Sequence, residues 1–474
     1  MSTVRRVAKN TFFMIFGEIG AKALTVGYTI LLAKYLLVEG FGTLSFFLAL
    51  TGMLGLFTDI GFFELTVREV ARNRSIAKKY LSNLFLLKSL IVITVFGLFF
   101  IYLSFAEFPW NVKLLAYLLA LAAAIDSLAS IFRSIMQGFE EMIYISVGKI
   151  LRGIILFGGT IILIFSNYGL VGFGVLYLIA NFISFSFLLF IIIKKLIFTK
   201  LSFEFDRSFW KTILKEGVSF WAATAFVVVL NDTDKIMLYT MVGEKAVGLY
   251  SAAYRMVFAL NFIPLMFIVA LYPVTSRLFT KSTSLLVRTS EIAFKFVLVV
   301  GLGIAITLSS FSDFVVLTIF GREFSGSAEP LRILIWSQLF LYLNVVLGNL
   351  LMSANMQVIR TYQVSSAAIL NVSLNFILIP AWSYVGASLA TLVARFFSFI
   401  FLSFVAMRKF NFSKTLLLQS MIVVVISAFS AYTYIISGNL FILAVSLLIV
   451  SIFLYFRIFD ESDKKVLIKL IRME

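Results

Sequence analysis

Six cations stand inside otherwise oily stretches of this chain: Lys22, Lys88, Lys149, Arg152, Arg255 and Arg395. A charge at mid-bilayer costs about 2.5–3.5 kcal/mol on insertion scales, so it is usually kept for a purpose. Their sign points to an anionic ligand. Arginine suits phosphate, because its planar fork can donate to two oxygens at once. A second set is acidic: Glu18, Asp59, Asp126, Asp232 and Asp234 lie in or beside the same stretches. Such carboxylates can hold Na+ or exchange a proton, coupling ion entry to the movement of another solute.

Spacing sharpens some of these readings. Glu18 and Lys22 are four residues apart and share a helix face. They form either a self-neutralising pair or a cation released when Glu18 takes up a proton. Lys149 and Arg152 also share a face, near enough to a helix end to snorkel towards headgroups instead of binding a ligand. Lys88 and Arg133 are expected near the interfaces. Asp59, in Asp59-Ile60-Gly61, can cap a turn, and Asp234 can be neutralised by Lys235. The structural alternative for Arg255 is an ion pair with Asp232 or Asp234. Arg395 lies deep in its span.

The composition decides what holds these residues. Of 474 residues, 61% are hydrophobic and 13% charged, and mean hydropathy is +1.05. Soluble chains carry about 25% charged residues. The fold class expected is all-α and membrane-embedded, with about 14 transmembrane helices; a β-barrel would show short alternating segments instead of long apolar runs. The spans fall near 10–37, 42–66, 82–104, 113–137, 142–166, 169–193, 213–241, 247–274, 288–311, 329–353, 359–379, 383–407, 413–436 and 438–458. The first is too long for a signal-peptide core and reads as an uncleaved span. The chain has no histidine and no cysteine, which excludes histidine relays, thiolate nucleophiles, disulfides and Cys/His zinc sites. No Walker A pattern occurs, so direct ATP hydrolysis is not expected.

Loop charges orient the spans. Arg5, Arg6 and Lys9 precede the first; Arg68, Arg72, Arg74, Lys78 and Lys79 follow the second; Lys194, Lys195 and Lys200 follow the sixth. The opposite loops are nearly free of basic residues, apart from Lys245 and Arg322. Basic residues gather on the cytoplasmic side, so both termini are expected there, in a multi-pass protein of the cell membrane. The acidic loop at Glu140–Glu141 is an exception. The net charge of +17 is mostly this topological bias. It is split among short loops, which argues against nucleic acid. From Asp460 onwards, apolar residues at helical spacing read as an amphipathic helix on the cytoplasmic leaflet or as a merely solvated tail.

Two segments recur. Phe41-Gly42-Thr43-Leu44-Ser45 matches Val247-Gly248-Leu249-Tyr250-Ser251 at an offset of 206. Val171-Gly172 with Ala180-Asn181-Phe182-Ile183-Ser184-Phe185 matches Val385-Gly386 with Ala394-Arg395-Phe396-Phe397-Ser398-Phe399 at 214. This implies two six-helix lobes, 1–200 and 201–410, related by an axis along the membrane normal, with 411–474 as two extra helices and a tail.

Leu32-Ala33-Lys34-Tyr35-Leu36, Glu39-Gly40-Phe41-Gly42, Asp59-Ile60-Gly61 and Val67-Arg68-Glu69-Val70-Ala71-Arg72 resemble the start of polysaccharide-type flippases of the MOP (multidrug/oligosaccharidyl-lipid/polysaccharide) superfamily. Asp234-Lys235-Ile236-Met237-Leu238 and Val247 to Arg255 are similar to that family's seventh and eighth helices. The resemblance implies a MATE-like bundle whose central cavity is lined by helices one, two, seven and eight. It implies translocation of a lipid-linked oligosaccharide, on a polyprenyl or dolichyl phosphate or pyrophosphate, from the cytoplasmic to the outer leaflet. Substrate-binding candidates are then Arg255, Lys22, Arg395, Lys149 and Arg152. Ion-coupling candidates are Asp232, Asp234, Glu18 and Asp59, with Na+ or H+ as the possible coupling ion and no cofactor or metal otherwise. Expected partners are the lipid-linked substrate, membrane lipids, and a glycan polymerase or glycosyltransferases. An ion-coupled multidrug or cation exporter of the same superfamily is the alternative. A glycosyltransferase or other enzyme is disfavoured, because the longest loop, 194–212, is short.

Overall fold

The computed structural model describes residues 3–196 and 206–437, with the side chains of 3–19, 196, 219, 223, 265 and 268–270 outside that description. The described chain is helical throughout. Its helices are α1 (Thr3–Thr58), α2 (Phe62–Arg72), α3 (Ala77–Phe105), α4 (Trp110–Gly138), α5 (Met142–Phe165), α6 (Leu170–Leu196), α7 (Arg207–Met241), α8 (Glu244–Ala259), α9 (Phe262–Lys281), α10 (Thr283–Ser310), α11 (Ser312–Ile319), α12 (Ala328–Ser353), α13 (Gln357–Phe410) and α14 (Lys414–Ser437). Hydrocarbon offers no partner for backbone amides, so oily sequence of this length folds into helices that satisfy their own. Among the described residues, ten helices are long and apolar enough to cross a membrane, or up to eleven if the bent pair 207–218 and 220–241 is one span.

The described helices divide the chain differently from the fourteen expected spans. Spans one and two run as α1, broken at Leu37 (φ 57°). Spans eleven and twelve run as α13, broken at Ser383 (φ 51°), three residues after Pro380. The fourteenth span, 438–458, and the amphipathic tail lie outside the described residues. Two boundaries are corrected. Span two ends at Thr58, not 66: Gly61 takes a left-handed φ of 68° and starts α2, a short amphipathic helix of its own. Span eight, expected at 247–274, splits between α8 and α9. At that break the Leu260 carbonyl accepts the Tyr342 hydroxyl at 2.8 Å and the Asn261 side chain accepts from Gln338, so α12 side chains hold the turn between the two helices.

The chain divides into two compact units, meeting at Ser251/Ala252. In the first, α4 packs on α6, α5 on α1 and α6, and α7 on α1 and α2. Phe62, Leu65 and Val70 of α2 are buried with Leu84, Phe132, Ile135 and Ile213 from α3, α4 and α7. The repeat glycines meet inside this unit: a methyl group added at Gly42 would lie 1.9 Å from the Glu244 carbonyl oxygen, and one at Gly248 2.0 Å from that of Val38. Gly61 and Gly217 do the same for α2 and α7, at 2.2 and 2.1 Å from the partner backbone. In the second unit, α12 is enclosed by α9, α10 and α13, and α14 packs on α10. Large apolar side chains such as Ile93, Phe105, Phe165, Phe190, Phe376 and Phe429 face outward, as lipid contact requires.

Candidate functional site

A connected polar track runs through the first unit. Helix α4 supplies Asp126, Ser127, Ser130 and Arg133, whose spacing puts them along one face. Ser127 shares a 2.7 Å hydrogen bond with Thr58 at the end of α1. One residue on, Asp59 accepts from the Lys88 ammonium of α3 at 2.5 Å and from Ser130 at 3.1 Å, while Lys88 also donates to Ser130 at 2.6 Å. The other Asp59 oxygen accepts the Phe63 amide at 3.1 Å, capping α2 as an Asp-Ile-Gly turn can. Lys88 is fully buried. It is the interior partner of Asp59.

Arg133 binds Asp126 through both guanidinium arms, at 2.9 and 3.1 Å, and takes the Asp126 carbonyl as well. Asp126 and Arg133 interact electrostatically with Lys88, and Arg152 with Asp126. Arg152 of α5 donates to Asn181 of α6 at 2.5 Å, and Asn181 passes the link to the Ala122 carbonyl at 3.0 Å. The track thus holds three cations, Lys88, Arg133 and Arg152, against two carboxylates, Asp59 and Asp126. A cavity of about 220 Å³ adjoins its Asp59 end, lined also by Gly52, Gly55, Phe63, Glu64 and Thr224.

The other acids form separate pairs. Asp232 binds Lys235 one turn on at 2.6 Å. Asp234, buried, accepts the Tyr250 hydroxyl at 2.5 Å, tying α7 to α8. Lys22 is half-buried and Lys149 exposed. Gly20, Leu24 and Gly27 are the stripe of α1 that meets α5 at Ile150, Gly153 and Phe157. Lys22 lies two residues from Gly20 and Leu24, on the opposite side of α1. The side chain of Glu18 lies outside the described residues.

Arg255 is half-buried on α8 and has no hydrogen-bond or ion-pair partner among the described residues. In the second unit, the Arg395 carbonyl accepts from Asn344 at 3.0 Å. Arg395 acts electrostatically on Arg360, a cation that the sequence reading passed over. Arg360 begins an expected span, where a basic residue reads as a loop end. Ser130 and the pairing of Lys88 with Asp59 were likewise missed; the signal available was the Asp59/Lys88 charge match across two expected spans. Among the described residues no group of three or more carboxylates could hold a metal ion.

Comparison with known proteins adds the lineage. The polysaccharide biosynthesis protein family matches residues 7–279. An uncharacterized membrane protein of Methanocaldococcus jannaschii is 25% identical over 283 residues, 58% of this chain and 56% of that protein. The alignment thus spans little more than half of that relative. The fold is similar to that of lipid II flippase MurJ in an inward closed conformation, with TM-score 0.69, 17% identity, and coverage of 94% of this chain and 97% of that one. It is also similar to an inward-facing multidrug resistance MATE family transporter of the MOP superfamily, with TM-score 0.64, 16% identity, and coverage of 84% and 96%. A MOP superfamily transporter from Pyrococcus furiosus gives TM-score 0.57 at 15% identity, with 85% and 96% covered.

Proposed function

This chain belongs to the polysaccharide biosynthesis protein family, and from that premise we propose that it is a flippase for a lipid-linked oligosaccharide. The substrate carries its glycan on a polyprenyl or dolichyl phosphate or pyrophosphate. It moves from the cytoplasmic to the outer leaflet by alternating access between two six-helix lobes, 1–200 and 201–410, with both termini cytoplasmic. Only the phosphate and the glycan need help in crossing, because the tail is as apolar as the bilayer. The observation that carries the reading is Arg255. It is half-buried, without a protein counter-ion among the described residues, and lies inside the family-matched segment. A half-buried cation without a carboxylate beside it is suited to receive a phosphate. Arg395, Lys22, Lys149 and Arg152 are the further substrate-side candidates.

Membrane potential can supply the drive. One charge moved through 100 mV is worth about 2.3 kcal/mol. A dianionic substrate leaving a cell that is negative inside therefore gains about 4–5 kcal/mol. Coupling to Na+ or H+ through Asp59, Asp232, Asp234 or Glu18 is the second drive, and the Asp59 end of the polar track, open to a cavity, favours Asp59 among them. The same feature supports the alternative of an ion-coupled drug or cation exporter. Reconstitution with a fluorescent polyprenyl-linked sugar decides between them. Translocation well above empty liposomes is expected; none with several carriers tried, together with ion-driven export of an organic cation, would sink the flippase reading. Glycosyltransferases or a glycan polymerase are the partners such a substrate implies.

A further inference from the structure

Arg360 is a half-buried guanidinium at the first turn of α13, with no counter-charge among the described residues. It lies against α12 at a position that has no side chain: a methyl group added at Gly348 would come within 3.0 Å of its Cζ, 3.1 Å of Nε and 3.2 Å of Nη1. Glycine is what lets the fork rest there. One arm donates to the Gln363 side-chain oxygen. Gln363 is itself held by its amide nitrogen, which donates to Ser398 at 2.6 Å on the second half of α13. A guanidinium has five N–H donors, and Gln363 accepts one of them. Among the described residues no carboxylate lies within ion-pair distance of Arg360. The charged group that does act on it is Arg395, a second cation.

A guanidinium seated in a helical bundle with unmet donors and no carboxylate within reach is unfavourable unless an anion joins it. We propose that Arg360, cradled on Gly348 and held by Gln363, forms a phosphate site within the second unit that holds the headgroup of a phosphate-bearing lipid. The planar fork fits a phosphate edge, and the half-buried position between α12 and α13 lets a lipid reach it from the side while its chains stay in hydrocarbon. The site does not rest on the flippase reading, because binding is measured without transport.

The test uses the full chain in an uncharged detergent, with thermal melting read against added polyprenyl phosphate, the matching polyprenol, phosphatidylglycerol or inorganic phosphate. The wild type is expected to melt higher with the phosphate-bearing lipids and not with the polyprenol. Arg360→Gln is expected to weaken that response at least about ten-fold in apparent affinity, and to melt no lower than wild type without lipid, since it removes an uncompensated charge. Gly348→Ala, which pushes the fork off its seat, and Arg360→Lys, which keeps the charge but loses the fork, are expected to weaken it too. They carry the test if Arg360→Gln does not fold. A preference for polyprenyl phosphate over phosphatidylglycerol assigns the site to a substrate-like lipid; equal responses assign it to ordinary anionic lipid; a response to inorganic phosphate alone overturns the lipid assignment. Equal responses of wild type and all three variants overturn the site itself.

Discussion

Gly42 and Gly248 face each other where α1 meets α8, each too close to the opposing backbone to carry a side chain. They are also the two glycines at offset 206 in the repeated motif. A backbone carbonyl cannot rotate away as a side chain can, so even one methyl forces the helices apart. Small residues at such crossings let backbones touch and exchange close Cα–H···O contacts. Gly42→Ala and Gly248→Ala are each expected to lower stability by about 1–3 kcal/mol, the usual range for overpacking. Thermal melting in detergent checks this; a loss comparable to that of Gly97→Ala, where an added methyl meets nothing within 4 Å, would refute the contact.

The Asp59–Lys88 pair yields a coupled prediction. Removing one partner of a buried ion pair leaves the other unpaired, at a cost of about 3–5 kcal/mol. Lys88→Met and Asp59→Asn are each expected to destabilise, with Asp59→Asn losing the α2 cap as well. The double variant Asp59→Asn/Lys88→Met is expected to recover part of the loss. A double-mutant cycle with no coupling energy would show that the two side chains act separately.

Much of this was legible in the sequence because the relevant signals are local. The predicted boundary at residue 37 coincides with the Leu37 break, and the boundary near 380 with the Ser383 break, since apolar run length and Pro380 are written in the chain. The Asp59 cap was readable from Asp-Ile-Gly for the same reason. What was not legible is pairing across distant helices. Lys88 and Asp59 are 29 residues apart and Arg152 and Asn181 also 29; nothing in one span reports which face of another it meets. Arg360 was hidden differently. Its environment is defined by what is missing, a side chain at position 348 and, among the described residues, a carboxylate nearby, and absence at a distance leaves no periodicity to read.

Arg255 is tested by charge reversal. Arg255→Glu puts a carboxylate where the proposed phosphate binds, so transport is expected to fall to the level of empty liposomes. Because Arg255 has no partner among the described residues, expression and membrane insertion are expected to be unchanged. Transport at the wild-type rate would remove the best candidate for the anion site.

Asp232 and Asp234 separate by chemistry. Asp234→Asn keeps an acceptor for the Tyr250 hydroxyl, so folding is expected to survive. Asp232→Asn leaves Lys235 without that carboxylate. If either acid couples transport, its variant is expected to lose the dependence of flipping on an imposed Na+ or H+ gradient while retaining the dependence on membrane potential. Unchanged gradient dependence in both variants would place coupling elsewhere.

At the start of α7, Asp206 accepts from Lys79 at 2.7 Å and caps the helix through the Phe209 amide at 3.0 Å. The Lys79 ammonium first, and the Phe209 amide next, hold its carboxyl below the ordinary aspartate value. A carboxyl depressed in the folded state contributes stability that is complete above its unfolded pKa, about 3.9, and is lost as pH falls through the lower folded value. The tether of α7 to α3 is therefore expected to be insensitive to pH from 7 down to about 5 and to loosen only below about 4. Hydrogen exchange at the α7 N-terminus, compared between wild type and Asp206→Asn, reads this directly. Asp206→Asn is expected to exchange faster at neutral pH and to converge with wild type in acid; exchange that is the same at both pH values would mean that the pair does not hold the helix end.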